Sequence, residues 1–546
     1  MDKLPPEILR GILGALIALN PSSKNEILPF RLVCKVFNEL LREDLLKTVQ
    51  LDFSRLEKHG KPLDLKYLEG AAEYCDAIYV DLTIIRDDGM SFYSSTTLSG
   101  AMDHLSRIAR AICCINPQDN FAQTVADIGA PDEILRLQNA FASIVDKFPE
   151  MNDVFDSLRR YCMGPASFDE SDFKHAVATM LDTANKASCF KLNLPFQFVG
   201  QASRSGTMLF ATAAECLANR SEEAALIETM VLSHLSDTTL LDVYQNPIDL
   251  QNAIKVFRPL KHLVLSLKRQ ESTGASQHRF SAALWRLITE ATNLESLCII
   301  GWNSKRNTSV RQHELGFQGD LQSWRMQSLP YQDTNGSNNL GNLRSLELNR
   351  VDVEASSLLK MVKNCASTLR ELYLNEVYLK VRNGDAVPLW IGLGPEVSKP
   401  LGARWVAEEL HDMPDLRLTV LRATALGYDE YSAGPDFVNH GQFDLDDPSG
   451  RKRSFDERFV EAALYQNPSA SIMTKPMADY DVDSFQQTHN TTSHWRSSID
   501  GVFYNHNDTA LDELKKILSV VERGMGLLTA EIDRINTAIR FDPTTT

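Results

Sequence analysis

The side chains able to do chemistry in this 546-residue chain are scattered rather than clustered. Nine cysteines stand at Cys34, Cys75, Cys113, Cys114, Cys162, Cys189, Cys216, Cys298 and Cys365. Their number is odd and no two are spaced Cys-x-x-Cys, so reduced thiols in a core are expected, not a disulfide framework or a zinc site. Cys113 and Cys114 lie in an apolar run with Ile108, Ala111, Ile112 and Ile115, which reads as core. His489 and His494 lie in a polar tail with no partner cluster. The chain has no Gly-x-x-x-x-Gly-Lys-Ser/Thr loop, no Gly-x-Gly-x-x-Gly at a helix start, no His-Glu-x-x-His and no Gly-x-Ser-x-Gly elbow. The expectation is a protein without catalytic residues, metal or cofactor of its own, working through surfaces.

One such surface is legible at the start of the chain. Leu4-Pro5-Pro6-Glu7-Ile8-Leu9 places two prolines and a glutamate at the mouth of an apolar run, which marks a helix start. Ile8, Leu9, Ile12, Leu13, Leu16 and Ile17 recur at helical spacing, and Val33, Val36, Phe37 and Leu40 repeat the pattern in a second helix. A polar turn, residues 20–26, separates the two. So short a segment cannot bury all its apolar surface by itself, so the rest of the chain or another protein must cover part of it. The opening Leu-Pro-x-Glu-Ile-Leu and the close Leu-Val-Cys-Lys-x-Phe resemble the F-box, the helical module that binds the Skp adaptor of cullin-based ubiquitin ligases. The polar insert is longer than the usual F-box turn. The resemblance implies adaptor contacts through Leu4, Pro5, Ile8, Leu9, Leu32, Val33, Cys34 and Phe37.

The formal charge of −16 argues against nonspecific nucleic-acid binding. Half of it falls in residues 427–510, with 14 acidic and 6 basic residues, whereas residues 1–50 hold 7 basic and 6 acidic. No apolar run reaches bilayer length, and the opening lacks the basic start and cleavage site of a signal peptide. A cytoplasmic or nuclear protein is expected, with neither nucleic acid nor membrane as partner.

From about residue 259 a unit repeats. Leu-x-x-Leu-x-Leu appears at Leu260, Leu263 and Leu265, at Leu294, Leu297 and Ile299, at Leu343, Leu346 and Leu348, and at Leu369, Leu372 and Leu374. Leu416 to Leu421 forms a degenerate fifth copy. The Leu346-to-Leu372 interval is 26 residues; the earlier intervals are 34 and 49. The longest holds a polar insert around 303–342, read as a loop leaving the array. Leu-x-Leu sets two apolar side chains on one face of a short strand, a helix such as Ser357 to Asn364 covers them, and stacked units share one core. This resembles the leucine-rich repeat. Shorter strands at 49–53, 78–82, 190–194 and 230–232 read as degenerate earlier units. Helices are expected at 101–114, 133–147, 152–162, 171–187 and 221–228. Strand residues pointing away from the core then line a concave face: His262, Val264, Ser296, Cys298, Ser345, Glu347, Asn349, Glu371, Tyr373 and Asn375 are the candidate target contacts.

Residues 427–507 lose this periodicity and read as a polar, acidic, loop-rich segment, Arg451-Lys452-Arg453 being a solvated loop. From Leu511 to Ile539 apolar residues alternate steps of three and four, a heptad seam broken by Gly524 and Gly526. An amphipathic helix over 508–540, docked on the body, is favoured over a self-associating coil. The expected fold is thus α/β: a helical F-box (1–47), a degenerate repeat and helical region (48–258), an irregular leucine-rich-repeat solenoid with parallel strands (259–426), the polar segment and a C-terminal helix. The likeness to divergent fungal F-box proteins with irregular repeats implies a non-enzymatic substrate-recognition subunit of a Skp–cullin–F-box ubiquitin ligase, partnered by the Skp adaptor, through it cullin, and a target protein of unspecified identity. Two alternatives stay open: an F-box protein acting with the adaptor outside a cullin ligase, and a coiled-coil scaffold.

Overall fold

The computed structural model describes residues 5–19, 27–52, 66–82, 170–194, 204–269, 274–303, 326–329, 340–375, 377–380, 389–390, 404–424, 426–428 and 455–464. Helix α1, Pro6–Leu19, opens the chain. The second expected helix comes in two pieces, a 3-10 turn at Leu28–Leu32 and helix α2, Lys35–Leu46. Pro29 sits at the start of the 3-10 turn. Val33 N–H still donates to the Phe30 carbonyl (3.2 Å), but the α-helical ladder begins only with Asn38 N–H on the Cys34 carbonyl (3.1 Å). Residues 20–26 lie outside the described residues.

Lys47 alone separates α2 from strand β1, Thr48–Asp52. Helix α3, Lys66–Ala72, strand β2, Ala77–Asp81, helix α4, Glu170–Thr183, and strand β3, Cys189–Asn193, follow among the described residues. Then come α5, Arg204–Ala218, β4, Thr229–Ser236, α6, Asp237–Gln245, α7, Pro247–Phe257, β5, His262–Arg269, α8, Gly274–Glu290, and β6, Ser296–Asn303. The rest comprises β7, Met326–Leu329, β8, Ser345–Asn349, β9, Val351–Glu354, α9, Ala355–Cys365, β10, Glu371–Asn375, and β11, Tyr378–Lys380. Last come β12, Leu389–Trp390, β13, Arg404–Trp405, α10, Val406–His411, β14, Val420–Thr424, β15, Gly427–Tyr428, and α11, Phe455–Leu464.

The protein is mixed α/β. Nine strands form one sheet in the order β1-β2-β3-β4-β5-β6-β8-β10-β14, so each neighbour is the next strand of that sheet along the chain. Its pairings are parallel, and among the described residues every crossover carries a helix except that from β6 to β8, where β7 lies. The leucine motif governs the register: Leu263 stands opposite Leu297, Leu297 opposite Leu346, and Leu346 opposite Leu372. Leu372 pairs with Leu421, so the fifth copy runs from Leu418 through Leu421 to Ala423, two residues later than the text of the sequence suggests. The earlier strands join the same row, Ile78 opposite Phe190, Phe190 opposite Met230 and Met230 opposite Leu263. These side chains share one continuous core with the helices, Trp285, Phe173 and Phe257 being fully buried in it.

A backbone ladder marks the lower rim of the sheet. Asp76 N–H donates to the Lys47 carbonyl, Ser188 to Asp76, Glu228 to Ser188, Lys261 to Glu228, Glu295 to Lys261, Arg344 to Glu295, Arg370 to Arg344 and Thr419 to Arg370. Opposite charges meet along it, Lys261 on Glu228 at 2.7 Å and Arg344 on Glu295 at 3.8 Å. Exposed pairs of this kind add little stability, but like charges at the same places would oppose the register.

Three further expectations need correction. Residues 221–228 are not a helix: the Arg220 guanidinium binds the carbonyls of Ala184, Ala187 and Ala225, and Ala225 N–H donates to Asn185, which pulls the segment into an irregular turn. The insert between Leu297 and Leu346 does not wholly leave the array, because β7 joins a second, four-stranded sheet of order β15-β11-β9-β7. Strands β9, β11 and β15 follow closely on β8, β10 and β14, with Arg350 turning the corner before β9 at φ 54°. Gly301 lies where this sheet crosses β6; a Cβ there would sit 2.6 Å from Met326 Cβ, 2.6 Å from Val351 Cγ1 and 2.9 Å from the Arg350 carbonyl oxygen. Finally, the polar segment contains α11, whose Phe459, Val460, Ala463 and Leu464 are buried in the main core. The helices expected at 101–114, 133–147, 152–162 and 508–540 lie outside the described residues.

Candidate partner-docking surface

Helices α1 and α2 and the 3-10 turn close around a small core of their own, Leu9, Leu13, Ile27, Phe37, Leu41 and Leu45. Leu9 and Leu13, four apart, take the inner face of α1, and Phe37, Leu41 and Leu45 do the same on α2. The Arg31 guanidinium donates from Nε to Asn38 Oδ1 at 2.8 Å and ties the turn to α2. Apolar positions are more numerous than this interior can absorb. Ile8 and Ile12 form a second i, i+4 pair rotated outward on α1, 52% and 49% exposed. Leu32 is 88% exposed and Val33 57%, with Phe30 and Val36 beside them at 36% and 42%. Gly11 and Gly14, on the same helix as Ile8, have nothing within 4 Å of the place a Cβ would take.

The residues expected to meet an adaptor therefore divide. Ile8, Leu32 and Val33 are exposed, and so is Pro5, whose carbonyl accepts from Ile8 and Leu9 N–H. Leu9 and Phe37 are each 5% exposed and belong to the inner core, which corrects their expected role: they shape the surface without forming it. Cys34 is half-buried against that core. Leu4 lies outside the described residues. Ile12, Phe30 and Val36 belong to the surface and were absent from the expected contacts, although Ile12 and Val36 sat in the same apolar periodicity.

The expected concave face is also altered. His262, Ser296, Ser345 and Glu371 form one row across β5, β6, β8 and β10, and Val264, Cys298, Glu347 and Tyr373 the next. Asn349 and Asn375 pair in a third. All ten lie on the face opposite the leucines, as strand alternation requires. They are not an open surface, however: Val264, Ser296, Cys298, Ser345, Glu347, Asn349, Tyr373 and Asn375 are buried, and only His262 and Glu371 keep partial exposure. The face changes character along the sheet. Val231, Val264, Cys298 and Ile300 make an apolar cluster over β4–β6. Over β8 and β10 it is polar, with the Tyr373 hydroxyl donating to Glu371 Oε2 at 3.3 Å. Ser345 Oγ and Asn349 Oδ1 are buried there without a hydrogen-bond partner. Burial pushes the Tyr373 hydroxyl upward, with the Glu371 carboxylate adding to it, and pushes the His262 imidazole below its ordinary value against the pull of Glu295 and Glu228.

Burial raises the Cys216 thiol to about 11 and the Cys365 thiol to about 12, so both stay protonated near neutral pH, the unreactive form. No disulfide joins the cysteines among the described residues, and no group of three metal-ligating side chains occurs among those residues. No helix among the described residues is long and apolar enough to cross a membrane. No protein-family model matches this chain, and no curated protein matches it.

Proposed function

We propose that this chain is the substrate-recognition subunit of a Skp–cullin–F-box ubiquitin ligase, its first helices an F-box and its body an irregular leucine-rich-repeat solenoid. The observation that carries the reading is the set of six exposed apolar side chains, Ile8, Ile12, Phe30, Leu32, Val33 and Val36, on a three-piece helical module at the position of the Leu-Pro-x-Glu-Ile-Leu and Leu-Val-Cys-Lys-x-Phe motifs. Large apolar side chains left in water in this number on so small a module mark a protein interface. Parallel strands that neighbour one another in chain order, with the leucine motif in register, support the repeat reading.

In this role the adaptor covers the patch and the body holds a target near an activated ubiquitin carried by another subunit, so catalysis is proximity. Of the ten strand residues on the second face, His262 and Glu371 are the two through which target contact is testable without first uncovering the sheet. The test is co-purification of the full chain with the Skp adaptor and cullin. Wild type retains both; Ile8→Asp/Val33→Asp, which alters only exposed positions, loses both. Undiminished adaptor recovery by the variant overturns the F-box reading, and adaptor recovery without cullin replaces the ligase with an adaptor-only complex.

A further inference from the structure

The second face of the nine-stranded sheet is closed, but not by the described helices. The core those helices share with the sheet holds the leucine side of the strands. The smaller sheet meets that side too, at Gly301, which stands in step with Leu297 and Ile299. Across the sheet the apolar clusters consist of strand residues alone, Val231, Val264, Cys298 and Ile300 in one and Ala77 and Tyr79 with Cys189 in another. Yet Cys298 and Glu347 are 0% exposed, Tyr373 1% and Lys191 3%. Side chains stand out from a sheet, so strand neighbours shield their flanks and leave their tips bare. Exposure this low needs a layer on top, as parallel sheets have on both faces.

We propose that residues 508–540 lie across β4–β10 with their heptad seam inward, so that the chain holds its own target face shut. The seam from Leu511 to Ile539 needs an apolar surface, and Val231, Val264, Cys298 and Ile300 offer one. A helix over 508–540 runs about 50 Å, and nine strands span about 40 Å, so one helix crosses the sheet. Chain order allows it. Helix α11 packs at β14, and residues 465–507 after it reach about 140 Å when extended. The insert between β2 and β3, the other long stretch with helical periodicity, is tethered at the opposite end of the sheet, away from β8 and β10. Closure is imperfect over β8, where Ser345 Oγ and Asn349 Oδ1 are buried without a hydrogen-bond partner. Burying them so is unfavourable, and lifting the segment returns them to water or to a target's donors. The seam grips the apolar end over β4–β6 and yields first over β8. Only the consequence, a target that must displace the segment, rests on the reading of this face as the target face.

Cys298 reports on the face, and Cys365, 1% exposed in the leucine-side core, reports on the fold. The protein is treated with a maleimide under native conditions, and modification of each cysteine is followed by peptide mass spectrometry. Wild type is compared with Leu518→Asp/Leu528→Asp in the full chain and with a chain ending at Asn507. Both variants should modify Cys298 about ten-fold faster or more, with Cys365 protected as in wild type. Cys298 modified as slowly as in wild type means that another stretch covers the face, and the proposal falls. Both cysteines loosened alike means that the segment belongs to the main core, and it falls again; where the shortened chain alone shows this, the double variant decides. Wild-type protection of Cys298 that fades on dilution means that a second copy supplies the cover, which also overturns it. None of these readouts involves the adaptor, so the closure and the ligase reading fail separately.

Discussion

Leu32 and Leu41 are the same residue nine positions apart in one small module, 88% and 0% exposed. Truncating each to alanine separates docking from folding. Leu41 sits among Leu9, Leu13, Phe37 and Leu45, so Leu41→Ala leaves a cavity in a core too small to collapse around it. The expected loss is about 2–5 kcal/mol of stability. Leu32→Ala removes a side chain already in water, so stability should move by about 0.5 kcal/mol at most. If a partner covers Leu32, the same truncation forfeits about 2 kcal/mol of apolar burial in the complex. That is about 30-fold in Kd. Thermal or urea unfolding reads the first quantity, and titration calorimetry against the Skp adaptor the second. The pattern expected is a weakened but stable Leu32→Ala and a destabilised Leu41→Ala. A Leu32→Ala chain that melts as early as Leu41→Ala would refute the exposed placement of Leu32. A stable Leu32→Ala chain that binds within two-fold of wild type would refute the patch as an interface.

Three further outcomes follow from the geometry. Gly301→Ala forces a methyl to 2.6 Å from Met326 Cβ and 2.9 Å from a backbone oxygen, and should cost about 3 kcal/mol by overpacking, with Val351→Ala restoring part of it in a double-mutant cycle read by urea unfolding. Gly11→Ala and Gly14→Ala meet open space on α1, so each should stabilise the chain by about 0.5–1 kcal/mol in thermal melts. Cys216 and Cys365 should resist iodoacetamide at neutral pH in the native chain. Their thiols ionise at about 11 and about 12 in the fold against 9.0 for an unperturbed cysteine, so the native state holds its protons longer. Stability should therefore be intact below pH 9.0 and decline as pH rises from there through those values; Cys365→Ala should flatten part of that decline.

The sequence by itself determined the strands of the large sheet and their order. A Leu-x-Leu pair sorts two side chains to one face of any strand, and the same pair recurring in Leu263, Leu297, Leu346 and Leu372 has one economical arrangement, side by side over shared helices. It also marked the first helices as apolar beyond their means. Tertiary structure decided which apolar residues face out. Ile8 and Leu9 are neighbours of like hydrophobicity, and periodicity fixes only the angle between them; the docking of α2 and the 3-10 turn buries one and leaves the other in water. The second sheet was hidden because its four strands are only two to four residues long, too short for alternation to show in the sequence. Helix α11 was hidden because its buried positions are few and surrounded by polar text; in the fold α10 and β14 pack against them. The closure of the face carrying Glu347 and Asn349 was likewise invisible, since alternation tells which side of a strand a residue takes and not whether water reaches that side.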